Sequence, residues 1–272
     1  MRTVRRCGAG RRAGGRSSSA LLVVGVLLLV VSTGCQGDTD KEEPEPRSGP
    51  DLSSADLWLS FEGDDVGPNG SPVFTDAAGG SSEGRVVAAN GGVVELVAGP
   101  DSDGAAAFPP RCDEAGCPRA MVEVAAAATL DPGDRDFEFG ATIWLAPDQT
   151  TTGSNIVQQG RFGTEGGQWK LQVDNDQGHP SCLVRGDSPG AEPVVARSKL
   201  TISDSAWHRI VCRRDADGVT IEIDGKAQRS EGQTGSVSNE WPIRIGAPGV
   251  GEGDDQFHGR IDDVYLLIAP ES

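Results

Sequence analysis

The sequence has few aromatic residues, few histidines and no apolar run long enough to cross a membrane. Aromatic residues make up 5% of the chain, with a single Tyr and three His among 272 residues. The longest apolar run, 20–31, has twelve residues, whereas a helix that crosses the hydrocarbon core needs about 20. A permanent membrane span is therefore disfavoured, and few side chains remain for stacking on ligands or for base catalysis.

Positive charge is scarce after the first 34 residues. Six of the 24 Lys and Arg residues precede Cys35 and none of the 41 Asp and Glu residues do, so 18 basic residues oppose 41 acidic ones from there on. A body with a formal charge near -23 repels phosphate backbones, which disfavours nucleic-acid binding. It is also repelled by anionic lipid, so attachment to a membrane requires an anchor that does not depend on positive charge.

The first 34 residues have the pattern of a secretory signal peptide. A head with six Arg precedes the apolar run, and small residues precede Cys35. The segment Val31-Ser-Thr-Gly-Cys35 resembles a lipobox, the cleavage site of bacterial lipoproteins, although Ser32 replaces the usual Leu. The resemblance implies cleavage before Cys35 and a lipid on its sulfur, with the protein held at the cell membrane and facing the exterior. An uncleaved signal anchor is the alternative, and the export route stays open.

The chain divides by composition into three segments. After the signal peptide at 1–34, residues 35–50 hold the lipidated Cys35 and an acidic, Pro-containing stretch without a large apolar side chain. Such a stretch cannot bury enough surface to offset its conformational entropy, which predicts a disordered tether. Residues 51–272 show no fixed repeat and no break in composition, and we expect one domain.

Short runs of alternating apolar and polar residues fill this domain. Gln168-Trp-Lys-Leu-Gln-Val173 places three apolar side chains on one face, and Val219-Thr-Ile-Glu-Ile223 does the same before an Asp-Gly turn. A period of two residues with tight turns predicts strands and hairpins. About a dozen such strands without intervening helices predict an all-β sandwich or barrel.

Four cysteines remain after Cys35. An even number in an oxidising exterior predicts two disulfides, with three connectivities open. We favour Cys112–Cys117, which closes a short loop, and Cys182–Cys212, whose members each lie in a strand-like run. A metal site at Cys112-x4-Cys117 is the alternative, but no second close Cys/His pair accompanies it.

A series of motifs in the right order resembles laminin G-like domains of the concanavalin A-like lectin/glucanase superfamily. They include the Asp-x-x-Trp-His turn at 204–208, the x-Val-Asp-Gly-type hairpin at 219–225 and the Phe-x-Gly-x-Ile-Asp-x-Val strand at 257–264. The runs 57–63, 137–145, 154–162 and 169–173 resemble further strands. The resemblance covers about 210 residues and implies a jelly roll of two antiparallel sheets, one of them concave. It implies no single function, because this fold hosts sugar-binding modules, adhesion domains and glycosidases.

We expect no catalysis. Glucanases with this fold usually carry Glu-x-Asp-x-Glu on one strand, and this sequence contains no such motif. Asp136-Phe-Glu138 gives two acids at alternate positions, but Gly140 stands where a third would be, and Glu222-Ile-Asp224 ends in a turn. Both pairs are better interpreted as solvated strand faces. The three His do not follow a Ser or Cys in a nucleophile-elbow sequence.

A structural calcium is the cofactor that the resemblance suggests, because related domains hold one between neighbouring first and last strands. Glu62 and Asp64 follow the first strand, and Asp262 lies in the last. Carboxylates are suitable ligands for this hard cation. The alternative is that these acids only face water in a very acidic chain.

Four residues are candidates for ligand contact. Trp144 lies off the apolar stripe of its strand and could stack on a sugar, and Gln168, Lys170 and Gln172 form a polar strip. Half-buried packing of Trp144 and a merely solvated strand face are the alternatives. We expect a non-catalytic binding module for a carbohydrate or cell-wall polysaccharide. Protein-protein adhesion is the second hypothesis, and a hydrolase with an unfamiliar site is the third.

Overall fold

The alternating runs fold into strands that pair in two antiparallel sheets. The computed structural model describes residues 51–271 except 63, 64, 68, 69, 101–103, 162, 164 and 176, and it omits the side chains of 65 and 66. The predicted signal peptide, the lipid site at Cys35, the tether and Asp64 therefore lie outside the described residues. Contacts group Gly49–Ser272 in one compact unit. Among the described residues, no helix has the length and apolar character needed to span a bilayer.

The described residues form seventeen strands, numbered here in chain order. They are β1 (Leu57–Leu59), β2 (Asp65–Val66), β3 (Pro72–Thr75), β4 (Glu83–Ala89), β5 (Glu95–Ala98), β6 (Gly104–Ala107), β7 (Arg119–Val124), β8 (Phe137–Trp144), β9 (Ser154–Gly160), β10 (Gln168–Val173), β11 (Pro180–Arg185), β12 (Val194–Arg197), β13 (Trp207–Asp215), β14 (Gly218–Ile223), β15 (Lys226–Glu231), β16 (Ile243–Ile245) and β17 (Arg260–Ile268). Three single turns of 3-10 helix occur at Leu52–Ser54, Ala128–Leu130 and Pro147–Gln149.

One sheet has eight strands and the other has nine. The eight-stranded sheet runs in the order β15-β14-β13-β8-β17-β6-β5, with β1 also paired to β17. The nine-stranded sheet runs in the order β12-β11-β10-β9-β16-β7-β4-β3-β2. This arrangement confirms the predicted all-β jelly-roll sandwich. It also confirms that the first and last strands are neighbours, because Leu57 pairs with Leu266.

The core lies between the sheets and is built by the period-two alternation. Trp169 of β10 is buried and its ring lies 4.6 Å from that of Phe139 in β8. Leu171 and Val173 continue the same buried face of β10. Because successive side chains of a strand point to opposite faces, the residues between them must face away from the core.

Both predicted disulfides are present. Cys112 bonds to Cys117 within one loop, and Cys182 of β11 bonds to Cys212 of β13. The second bond joins the two sheets through the core, where both cysteines are buried. On the same side of the sandwich, the Ser230 hydroxyl of β15 donates to the carbonyl of Val195 in β12.

Candidate binding face

The predicted polar strip lies on the outer face of the nine-stranded sheet. Gln168, Lys170 and Gln172 alternate with the buried core residues of β10 and therefore point away from the core. Gln168 is only 4% exposed although it is on the outer face. The strip is thus partly covered by other residues, unlike a fully solvated strand face.

A row of polar side chains crosses the sheet through Lys170. Gln158 of β9 lies directly opposite Lys170, and Arg244 of β16 lies opposite Gln158. Glu123 of β7 comes next, and its Oε2 lies 3.0 Å from Nε of Arg244. Since directly paired residues share a face of the sheet, these four side chains form one polar row, in which Gln158 is 3% exposed.

A second row is organised around the carboxylate of Asp174. Its Oδ1 accepts hydrogen bonds from Nε2 of Gln172 at 2.5 Å and from Oγ of Ser181 at 2.9 Å. Its Oδ2 accepts from Nε of Arg197 at 3.2 Å. Three donors from β10, β11 and β12 therefore fix the position of Asp174 and of the Gln172 amide.

Lys170 is a cation in the middle of this face, and its environment disfavours the charge. Burial lowers the pKa of its ammonium group, while the carboxylates of Asp255 and Asp174 partly oppose that shift. A partly dehydrated ammonium between carboxylates and amides is a strong donor for hydroxyl or carbonyl oxygens. The combination of fixed donors and acceptors is the kind of surface that orients a polar ligand.

A cleft of about 230 Å³ opens beside this face. Its walls include Arg111 and Gly153 on one side and Asp254, Asp255 and His258 on the other. The guanidinium of Arg119 holds the second wall, because it donates to the carbonyls of Asp254 and Glu252 at 2.7 and 2.9 Å.

A comparison with protein families places the domain in a wider group. The sequence profile described as "Concanavalin A-like lectin/glucanases superfamily", of laminin G type, matches residues 122–267, which is more than half of the chain. The chain belongs to this superfamily.

Solved structures with the same fold include binding domains of toxins. The binding domain of Paraclostridial Mosquitocidal Protein 1 aligns with a TM-score of 0.58 and 15% identity over 81% of this chain and 50% of that one. The botulinum neurotoxin serotype D binding domain aligns with a TM-score of 0.54 and 14% identity over 81% of this chain and 49% of that one. A botulinum neurotoxin type C structure aligns with a TM-score of 0.54 and 14% identity over 79% of this chain and 47% of that one. The chain thus spans about half the length of these structures, and such identities show the fold alone. No curated protein matches the sequence.

The lectin-like domain does not bring Trp144 to the polar strip. Trp144 ends β8 in the eight-stranded sheet, whereas the strip lies in the nine-stranded sheet. The guanidinium carbon of Arg260 lies 4.7 Å from the centre of the Trp144 ring, and the indole Nε1 donates to the carbonyl of Ser205 at 2.7 Å. One face of the ring is therefore in contact with a cation of the protein itself.

Glu138, the second acid of the Asp136-Phe-Glu138 pair, is engaged with other side chains. Glu138 Oε2 lies 2.6 Å from Nε of Arg213, and Glu138 Oε1 accepts a hydrogen bond from the Tyr265 hydroxyl at 2.6 Å. Arg213 also bonds Glu222 at 2.7 Å. A Cβ at Gly140 would lie 2.5 Å from the carbonyl of Ile210, so the neighbouring backbone leaves no room for a third acid there.

The two described calcium candidates each accept a backbone hydrogen bond. Glu62 Oε1 accepts from the amide of Gly104 at 3.1 Å, and Asp262 Oδ1 accepts from the amide of Asp263 at 2.7 Å. Within the described part of the chain, no group of three His, Cys, Asp or Glu residues is arranged to hold a metal ion. Asp64 lies outside the described residues, and the calcium site stays a prediction.

Several residues of the binding face were not predicted from the sequence. Asn155 and Gln158 of β9 border the strip, and Asp255 approaches it from the loop before β17. The sequence of β9, Ser-Asn-Ile-Val-Gln-Gln-Gly, does not alternate and all its residues are buried, so it does not indicate Gln158. Asp255 could not be found from alternation either, because it follows no strand pattern.

Proposed function

We propose that this chain is an exported, lipid-anchored binding module that recognises a glycan or cell-wall polysaccharide without catalysis. The observation that supports the binding role is the outer face of the nine-stranded sheet, where Lys170, Gln158 and Gln172 lie side by side and Asp174 fixes one of the amides. Amides, a carboxylate and a dehydrated ammonium complement sugar hydroxyls, which both donate and accept hydrogen bonds.

A structural neighbour supports the choice of ligand class. Cell entry of botulinum neurotoxin type C depends on interaction with two ganglioside molecules. Gangliosides carry sugars, and our proposal extends that class of ligand to the present chain by likeness of fold.

The surface disfavours protein-protein adhesion as the main role. Among the described residues, Val93 is the one large hydrophobic side chain that is exposed, at 54%. Surfaces that bind proteins stably usually present a contiguous apolar patch of several hundred Å². A single valine does not supply such a patch.

The anchor is the second part of the proposal and follows from the lipobox-like segment that ends at Cys35. One acyl chain binds a bilayer marginally, and two or more hold it stably. We expect the wild-type protein in the membrane fraction of its host and a Cys35→Ser variant among soluble or unprocessed precursors. Equal membrane retention of a processed variant would contradict the anchor.

The binding role is tested by retention on polysaccharides. The full chain, extracted with a detergent that carries no sugar, is passed over immobilised cell wall and over a panel of soluble glucans, mannans and galactans. We expect retention on at least one of them and release by the matching free oligosaccharide. The absence of retention on every member would contradict the proposal.

A further inference from the structure

Asn155 has an unusual environment for a polar side chain. It is completely buried in β9, yet neither its Oδ1 nor its Nδ2 has a hydrogen-bond partner among the described residues. Buried polar atoms in folded proteins are nearly always paired, and an unpaired one destabilises the fold. A buried amide with a free donor and a free acceptor indicates a position at which a ligand supplies the missing partners.

The position of Asn155 connects the polar strip to the cleft. Asn155 lies directly opposite Gln172, and Gly153, two residues earlier, lines the cleft. Since directly paired residues share a face of the sheet, Asn155 lies on the outer face with Gln172, and the cleft lining ends two residues before it. Its backbone amide donates to the carbonyl of Asp255 at 2.9 Å, which places the side chain beside the cleft wall.

The side chain of Asp255 lies against Gly153, two residues before Asn155. Its carboxyl carbon lies 3.1 Å from the place that a Cβ on Gly153 would take, so glycine leaves room for the carboxylate over the start of β9. Asp255 itself is exposed. Because Asn155 is completely buried, a ligand can reach it only after a side chain beside it moves, and our proposal assigns that movement to Asp255, while Arg119 holds the loop backbone.

The chemistry around Asn155 favours a neutral ligand with adjacent hydroxyl groups. One hydroxyl can accept from Nδ2 while its neighbour donates to Oδ1, and both amide atoms are then satisfied. Lys170 supplies a further donor and Asp255 a further acceptor beside them. Charges of both signs lie nearby, Asp254 and Asp255 beside Arg111 and Arg119, so the surroundings do not select a charged ligand.

We propose that Asn155 anchors a monosaccharide subsite, and that it binds two hydroxyl groups on adjacent carbons of a neutral sugar. The inference rests on the proposed glycan-binding function and goes further by naming the subsite and the group that it recognises.

The test combines a variant of the protein with a chemical change of the ligand. Asn155→Leu is compared with wild type for binding to soluble mannan and to a (1→4)-linked glucan, both of which carry adjacent free hydroxyls. Each polymer is used in native form and after periodate oxidation, which cleaves adjacent diols. A (1→3)-linked glucan, which lacks such pairs along its chain, serves as the negative ligand.

We expect wild type to bind native mannan or (1→4)-linked glucan and to lose the binding after periodate treatment. Asn155→Leu should bind about tenfold more weakly or worse, with a melting temperature equal to or above that of wild type, because it removes an unpaired polar group. Gln159→Leu is the matched contrast. It removes a buried amide on the core face of the same strand, where Oε1 accepts from the Trp169 indole and Nε2 donates to the Trp241 carbonyl. It should lower the melting temperature and leave the affinity of the folded protein unchanged.

The outcomes separate the subsite from the general function. If wild type binds a polysaccharide and Asn155→Leu binds it within twofold, or if periodate has no effect, the subsite is wrong and the glycan-binding role stands. If affinity and melting temperature of Asn155→Leu fall together, Asn155 is structural and the subsite is wrong. If wild type binds no polysaccharide, both proposals fail.

Discussion

Cys182 in β11 and Cys212 in β13 form a disulfide that joins the two sheets, with their Cα atoms 5.7 Å apart. The bond closes a loop with a sequence separation of 30 residues, whereas Cys112–Cys117 closes one of only 5. The chain-entropy relation assigns greater stabilisation to the longer loop.

The first prediction concerns these two bonds. Replacing both Cys182 and Cys212 by Ala should lower the free energy of unfolding by about 3.6 kcal/mol, and replacing Cys112 and Cys117 by about 2 kcal/mol. Urea unfolding of the two double variants measures both values. A larger loss from the Cys112/Cys117 variant would contradict the view that the inter-sheet bond is the more important one.

Arg214 is the subject of the second prediction. It is 5% exposed, and its guanidinium donates to four neutral acceptors. These acceptors are the Thr234 hydroxyl and the carbonyls of Asp134, Arg135 and Gly235. Arg214→Met should lower the free energy of unfolding by about 3 kcal/mol, because the four acceptors lose their donor.

The control for Arg214 is an arginine on the surface. Arg85 pairs with Glu83, and its side chain is 61% exposed. Arg85→Met should change the free energy of unfolding by less than about 1 kcal/mol. Equal effects of the two substitutions in urea unfolding would contradict the role assigned to Arg214.

The third prediction concerns His208 and the pH dependence of stability. Burial alone lowers the pKa of His208, but hydrogen bonds of its ring nitrogens with the carboxylates of Asp224 and Asp204 raise the pKa overall. The protonated ring therefore stabilises the fold fully below the unfolded pKa of about 6.5, and this stabilisation is lost as pH rises through the folded pKa. His208→Asn should lower the free energy of unfolding, measured in urea, most near pH 5.5 and less toward pH 8.

His258 should show the opposite dependence. Burial lowers its pKa, its contact with the Pro109 carbonyl opposes this shift, and the charges of Arg119 and Arg111 add to it. The neutral ring is favoured in the fold, so its stabilisation is complete above about pH 6.5 and is lost as pH falls toward the folded pKa. His258→Asn should lower the free energy of unfolding most near pH 8. The same direction of pH dependence in both variants would contradict these assignments.

Calcium gives the fourth prediction. If Glu62, Asp64 and Asp262 hold the ion, a chelator should lower the melting temperature and calcium should restore it, because an ion bound only to the folded state stabilises it by mass action. Asp262→Asn should abolish the response. A wild-type melting temperature that does not change with chelator would exclude a stabilising calcium.

Much of the fold could be predicted from local pattern, but not all of its strands. β10 has the bounds that alternation predicts, and β14 begins one residue before its predicted run. β15, Lys226-Ala-Gln-Arg-Ser-Glu231, has no apolar alternation, and its pairing with β14 is imposed by the Asp224-Gly225 turn. At the edge of its sheet it buries little, so hydrophobic periodicity could not indicate it.

The binding face was predictable only where it lies along one strand. The alternation of β10 is enough to place Gln168, Lys170 and Gln172 on one face. It cannot tell which strands lie beside them, and Trp144 belongs to the other sheet because β8 pairs with β13 and β17. Asn155 and Asp255 meet across 100 residues of sequence, and only the folded chain brings them together.

The most direct test of the glycan-binding role is the affinity of the strip for a polysaccharide that retains the wild-type protein. Isothermal titration should show binding by wild type and about tenfold weaker binding or worse by the Lys170→Met/Gln172→Leu variant. Lys226→Met, which removes an exposed lysine of the other sheet, should bind like wild type. Unchanged affinity of the Lys170→Met/Gln172→Leu variant would contradict the assignment of the binding face.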